Sequence, residues 1–276
     1  MKKYLKIRPN PKTQLTPKKM LRDARRMLKA PSLYREYEFL NDYKRVYHYH
    51  IRKTAGASLN FAFWSYSGLS PKKIRKQLSK SGGWYLTEDG KIFVGGKPLL
   101  LAQGKYFFGR SHIPSHILVI PEDTFTVSIF RNPIARVLSH YKMMLTAQKN
   151  KENHIPPFGL DRLDRPITLN DFMDHVPPEH LKRQLYMYSK KMILQEAFDN
   201  IMDLCTYYFF TEEFSEGLAT MSTILGLKLE EYHEHKSKTK PEISSSELDR
   251  LHEELEDEFR LIKMLKEEKY YIRDRQ

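Results

Sequence analysis

Residues Phe125-Thr126-Val127-Ser128-Ile129-Phe130 form a β-branched and aromatic run that stops at Arg131, and Pro133 then stands where a helix would begin. Proline suits that position because the N–H it lacks would have no intrahelical acceptor there. The segment onward to Gln148 has helical composition. The same order recurs upstream, where Val46 to Ile51 runs into a small-residue loop and the helix-compatible segment Leu59 to Tyr66, ending near Gly68. It recurs downstream, where Thr206 to Phe210 precedes an apolar-periodic helix carrying Phe214, Leu218, Met221 and Leu225. Lys105 to Gly109 reads as a further strand, and the glycine- and aromatic-rich stretch 82–104 as a hairpin or an irregular excursion. Strands alternating with helices predict an α/β fold with a mostly parallel sheet covered on both faces.

The chain of 276 residues is long enough to bury a sizeable core. It carries 47 lysines and arginines against 34 acidic residues, a formal charge of +13, so its surface attracts polyanions. Nucleic acid, a sulfated or carboxylated glycan and a nucleotide with several phosphates all meet that condition. The single cysteine, Cys205, excludes an internal disulfide and reads as a buried strand residue, and no Cys/His spacing suggests zinc. The N-terminus is basic without the apolar run of a signal peptide, and no stretch approaches the roughly 18 apolar residues of a membrane span. A cytoplasmic location is the expectation, with the Golgi lumen as the alternative if an anchor lies outside this sequence.

Residues 1–43 form a basic N-terminal extension, in which 17–29 can make a short basic helix from Pro17 with Met20, Leu21, Ala24, Met27 and Leu28 on one face. Residues 44–276 read as one catalytic-size domain, with a proline-containing insertion at 149–190. A C-terminal amphipathic helix over 244–270 is marked by Ser244, Ser245 and Ser246 at its start and a stripe of Leu248, Leu251, Leu255, Phe259, Ile262 and Leu265.

Two loops carry the chemistry. After the first strand, Arg52-Lys53-Thr54-Ala55-Gly56-Ala57-Ser58 leads into a helix. A strand, a small-residue loop and a helix N-terminus together cradle a phosphate, because backbone N–H groups close on the anion and the helix end adds partial positive charge. Lys53 brings a full charge, and Ser58 can cap the helix or donate to an oxygen. The loop does not spell G-x-x-x-x-G-K-[ST], which argues against an ATP-type loop and a kinase. After the Phe125–Phe130 strand, Arg131 projects into the crevice beyond the strand ends, where parallel-sheet enzymes bind ligands. Arg136 and Ser139 fall at i and i+3 on one helix face, so that an arginine fork and a hydroxyl could grip one phosphate.

The two loops together resemble the sulfotransferases that use 3′-phosphoadenosine-5′-phosphosulfate (PAPS). His50-Ile51-Arg52-Lys53-Thr54-Ala55-Gly56-Ala57-Ser58-Leu59 resembles their 5′-phosphosulfate loop, and Phe130-Arg131-Asn132-Pro133 through Leu138-Ser139-His140-Tyr141 resembles their 3′-phosphate motif. The similarity is greatest to the branch holding the heparan sulfate 2-O- and 6-O-sulfotransferases and bacterial relatives. Weaker similarities lie at Arg183-Gln184-Leu185, Thr211-Glu212-Glu213-Phe214 and Lys236-Ser237-Lys238. The chain departs from the pattern at Arg52 (usually proline), Ala57 (usually threonine), and Asn132 and Ala135 (often acidic).

The resemblance implies a P-loop-like three-layer α/β fold and transfer of a sulfuryl group from PAPS to a carbohydrate hydroxyl by in-line displacement, with no metal. It implies that residues 52–59 hold the 5′-phosphosulfate, that Arg131 and Ser139 hold the 3′-phosphate, and that Lys53 meets the charge on the bridging oxygen. Relatives take their base from just beyond the second strand, where this chain offers His112 and, as the alternative, His116; His48 and His50 read as packed in or beside the first strand. The basic excess favours an anionic glycan as acceptor, with Lys142 and Lys182-Arg183 near the cleft; Trp84, Tyr186 and Tyr188 read first as core. No nucleic-acid partner is expected, although a non-enzymatic polyanion- or nucleic-acid-binding protein is the competing reading of the charge.

Overall fold

The computed structural model describes residues 33–150, 158–160, 164–232 and 241–268. The basic segment 17–29 and Lys236-Ser237-Lys238 lie outside the described residues.

Six strands form one sheet, β1 (Arg45–Tyr49), β2 (Trp84–Leu86), β3 (Ile92–Gly95), β4 (Phe108–Ser111), β5 (Thr124–Phe130) and β6 (Tyr207–Phe210), in the order β2-β3-β4-β1-β5-β6. Only β2 runs antiparallel, as the edge partner of β3, which makes the glycine-rich stretch a hairpin. Central β1 aligns Tyr49 with Ser111 of β4 on one side and Ser128 of β5 on the other. The chain leaves β1 toward β3 and leaves β5 toward β6, in opposite directions along the sheet. The strand order therefore reverses beside β1, the point where ligands meet open parallel sheets.

Helices cover both faces. On one, α1 (Gly56–Ser65) and α2 (Pro71–Lys80) pack with a later helix, α9 (Phe214–Leu225), against Val46, Phe108 and Val127. Helix α1 buries every residue from Leu59 to Trp64, so it has no polar face there. On the other face lie α3 (Pro98–Ala102), α7 (Arg183–Tyr188), α8 (Leu194–Leu204) and α11 (Glu256–Glu267), with Tyr47, Tyr49 and Phe130. Each fully buried Leu, Ile, Val or Phe side chain contributes about 1.5–3 kcal/mol.

A third cluster stands off the sheet. Helix α4 (Pro133–Lys149) sends Val137, Tyr141 and Met144 against α5 (Leu169–His175), α6 (Pro178–Leu181) and α10 (Ser245–Glu254). Much of the 149–190 segment is thus helical and packed on α4, while α7 at its end joins the sheet core.

The apolar stripe predicts one C-terminal helix, but the chain forms two, α10 and α11, with Leu255 (φ −105°, ψ 11°) between them. The turn lets Leu251 and Leu255 face the α4 cluster while Leu261, Ile262 and Leu265 face the sheet. Ser244 and Glu247 close the start of α10 as a reciprocal capping box. Cys205 is wholly buried beside the Tyr188 hydroxyl (3.1 Å), and burial pushes its thiol up to about 12.

No helix among the described residues is long and apolar enough to cross a membrane.

Candidate functional site

The loop after β1 is held from beneath. The His50 N–H donates to the Ser111 carbonyl at 2.9 Å, which carries the β1–β4 ladder one step past the strand. Thr54, wholly buried, donates its hydroxyl to the Ile51 carbonyl at 3.0 Å, so only its backbone is left to face an anion. Lys53 (φ +71°) and Ala55 (φ +62°) both take left-handed conformations. Non-glycine residues in such conformations cost on the order of 1–3 kcal/mol each and collect at ligand-binding turns.

Helix α1 begins at Gly56, three residues before the expected Leu59, because the Ala55 carbonyl already accepts the Ser58 and Leu59 N–H groups at 2.9 and 3.4 Å. Ala55 is the cap residue, so Ser58 does not cap the helix; it lies in the first turn, half-buried, and its hydroxyl has no hydrogen-bond partner among the described residues. The side chain of Leu59 belongs to the core. Ala57 is half-buried in the same turn.

Gly56 is required by close approach. A Cβ there would lie 2.2 Å from His50 Cδ2 and 2.8 Å from His48 Cε1. These rings are fixed by Asn60 of α1, whose Oδ1 lies 3.1 Å from His48 Nδ1 and whose Nδ2 lies 3.4 Å from His50 Nδ1. His48 stacks on His50 at 4.8 Å between centroids, and His112 lies tilted by 40° against His50 at 4.3 Å. Burial drives His48 down to about 3 and His50 well below its ordinary value, so both are neutral packing rings beside β1, as the sequence predicts.

His112 follows β4 directly. Its Nδ1–H donates to the His50 carbonyl at 2.6 Å, which fixes the tautomer and leaves Nε2 as the acceptor. Burial first, then the Arg52 charge, pushes His112 down to about 3. His116, the alternative base, is exposed and rests edge-on against Tyr186 at 5.4 Å. Of the two, His112 is the one tied to the loop.

Past β5, Arg131 is half-buried, and its Nη1 donates to the Lys53 carbonyl at 3.1 Å. The two loops therefore meet. Asn132 caps α4 by accepting the Ala135 N–H at 3.0 Å, doing what an aspartate would do there. Ser139 lies in the second turn of α4, half-buried, its hydroxyl without a hydrogen-bond partner among the described residues. Lys53 Nζ lies 4.0 Å from Met143 Sδ, one turn further along α4.

Arg136 does not share this site. It is 1% exposed, lies 3.6 Å from the equally buried Glu258 carboxylate of α11, and donates to the Leu181 carbonyl. An arginine paired in this way has no fork left for a phosphate, which corrects the expectation that it grips one beside Ser139.

Cations outnumber acids around the loop. Arg52 is half-buried with no carboxylate at ion-pair distance among the described residues. Arg183, 6% exposed, donates to the His112 carbonyl and lies 5.3 Å from the Tyr186 ring centroid. Burial and the Arg52 charge bring it down to about 10. His140 and His180 are lowered as well, by burial first and then by arginines nearby. The reading of Trp84 and Tyr188 as core holds, since both are buried, whereas Tyr186 lies partly exposed between Arg183 and His116.

A cleft of about 300 Å³ lined by Met173, Leu181, Lys182, Lys191 and Met192 shares no residue with either loop.

Residues absent from the sequence expectation are Gln184, as a partner of Arg131, and Glu258. Glu258 had a legible signal: it falls three residues after Leu255 and four before Ile262, inside the apolar stripe. Compared with known protein families and with curated proteins, the chain matches none.

Proposed function

We propose that the protein is a sulfotransferase that moves the sulfuryl group of PAPS to a hydroxyl of a carbohydrate acceptor, on the sulfotransferase variant of the P-loop-like three-layer fold. The observation that supports this most is the Arg131 to Lys53 carbonyl contact of 3.1 Å, which joins two anion loops at the strand-order reversal. One nucleotide with phosphates at two positions needs two such sites side by side. The half-buried Ser58 and Ser139 hydroxyls, in the first turn of α1 and the second turn of α4 and without protein partners among the described residues, fit a ligand with an anionic group at each loop.

PAPS supplies an activated sulfuryl group and departs as adenosine 3′,5′-bisphosphate. The backbone of residues 52–57, Arg52 and Ser58 hold the 5′ end, and Arg131 and Ser139 hold the 3′-phosphate. As the acceptor oxygen bonds to sulfur and the sulfur–bridging oxygen bond breaks, Lys53 meets the charge left on the bridging oxygen. His112 Nε2 takes the acceptor proton. Its low affinity for protons in the free protein reflects burial first and the Arg52 charge second, and an anionic ligand bound at Arg52 offsets the second of these. Arg52 and Arg183, flanking His112 without carboxylate ion pairs among the described residues, favour an anionic glycan over a neutral acceptor.

Isothermal titration with adenosine 3′,5′-bisphosphate tests the reading. Micromolar binding that is lost in Lys53→Ala and in Arg131→Ala is expected; no binding by the wild-type chain overturns it. His112→Ala keeps that binding and lowers sulfuryl transfer to a glycan by about 10²–10⁴-fold, and unchanged turnover would move the base elsewhere.

A further inference from the structure

Residue 131 is the first past the end of β5, and β1 has already turned away beside it, since Tyr49 pairs with Ser128. Its peptide groups are completed by a side chain instead. Gln184, wholly buried at the start of α7, accepts the Arg131 N–H on Oε1 at 2.9 Å and donates from Nε2 to the Arg131 carbonyl at 3.1 Å. The carboxamide thus supplies one more rung of the ladder, in place of a strand neighbour.

Glu258 of α11 fixes which way that amide faces. It accepts the Gln184 N–H on Oε1 at 2.7 Å and Gln184 Nε2 on Oε2 at 3.3 Å. An ionised carboxylate only accepts, so Nε2 must face it and Oε1 must face the Arg131 N–H. The Arg136 guanidinium faces the same carboxylate at 3.6 Å. Wholly buried and bonded at every edge, Gln184 has no second arrangement open to it.

We propose that Gln184 is a positioning residue for the nucleotide's second phosphate, acting through the Arg131 backbone, with Glu258 setting the orientation of its amide. This rests on the reading of Arg131 as the 3′-phosphate ligand. A rigid Cα at 131 aims the guanidinium between the Lys53 carbonyl and the incoming phosphate. Without the amide, the Arg131 N–H and carbonyl have no hydrogen-bond partner among the described residues, and the arginine loses its aim.

The test is the ratio of affinities for adenosine 3′,5′-bisphosphate and adenosine 5′-phosphate, which isolates the 3′-phosphate. Gln184→Met keeps size and burial but removes both hydrogen bonds to Arg131 and the one to Glu258. It is expected to weaken the bisphosphate by about tenfold, the worth of one charge-assisted hydrogen bond, and to leave the 5′-phosphate unchanged. A general loss of structure would weaken both nucleotides alike. A wild-type preference for the bisphosphate that survives intact in Gln184→Met, or that falls only in step with the 5′-phosphate, overturns the proposal. Amide hydrogen exchange of Arg131 in the wild-type protein tests the same bond without a variant, and rapid exchange overturns it too. A wild-type chain that binds neither nucleotide, or both equally, brings down the sulfuryl-transfer reading itself, whereas slow Arg131 exchange would still uphold the Gln184 clamp.

Discussion

The loop after β1 and the turn after β5 leave the sheet at the same end and carry the same kind of charge, but they hold it in opposite ways. In the first, the backbone is strained at Lys53 and Ala55, Gly56 is pressed against two histidine rings, and Arg52 has no carboxylate partner among the described residues. In the second, the backbone of Arg131 and Asn132 is bonded to Gln184 and Glu212, and Arg136 is buried against Glu258. One loop leaves positive charge uncompensated at the surface of the crevice, and the other spends most of its charge on the fold. Arg131 and Arg136, five residues apart in sequence, thus belong to different tasks, and burial with a counter-charge tells them apart.

The sharpest way to break that contrast is to remove the buried pair. Arg136→Met strands the Glu258 carboxylate and is expected to destabilise the protein by about 3–5 kcal/mol in urea unfolding, with Arg136→Met/Glu258→Leu recovering most of the loss. Full stability in the single variant would mean that Arg136 is held for a ligand after all. Lys53→Ala is expected to do the reverse. Turnover in a sulfuryl-transfer assay falls by about 10²–10³-fold, while unfolding free energy moves by no more than about 0.5 kcal/mol.

Gly56→Ala tests the tight side of the first loop. Its Cβ would meet His50 Cδ2 at 2.2 Å, and the overpacking costs about 1–3 kcal/mol, read as a lower thermal midpoint. The pH dependence is carried by buried histidines. His48, His112 and His140 are held near 3 in the fold against 6.5 when unfolded, so the unfolded chain binds more protons between those values. Stability is complete above about pH 6.5 and declines as the pH falls toward 3. Replacing one of them, as in His112→Gln, flattens that decline by up to about 1.4 kcal/mol per pH unit. An unchanged slope would show that the ring is solvated.

Local pattern made the sheet legible. The Phe125–Phe130 run differs from β5 by one residue, and Pro133 opens α4 as read. Strand ends shifted where tertiary contacts decide them. Lys105 to Gly109 reads as a strand, but β4 spans Phe108–Ser111, with Phe107 already donating to the Ile92 carbonyl of β3 and accepting from the Val46 N–H of β1 as the chain enters the sheet. The start of α1 was hidden by a run of small residues with no polar cap, since Ala55 closes the helix with its carbonyl alone. At the site, Lys53, Ser58, Arg131 and Ser139 could be named from local pattern and His112 from the resemblance, and the structure brings their segments together through Lys53–Arg131 and His50–His112 contacts. Gln184 and Glu258 could not be placed there, because their partners lie 53 and 74 residues away and no local pattern reports a side chain that stands in for a strand.

Glu258 lies in the last described helix, and this has a consequence for synthesis. Every strand of the sheet and both loops have left the ribosome before the carboxylate that neutralises Arg136 is made. A nascent or truncated chain ending before α11 therefore has an arginine destined for burial with no counter-ion, and a Gln184 amide free to turn over. The order of translation makes the turn after β5 the last part of the crevice to set.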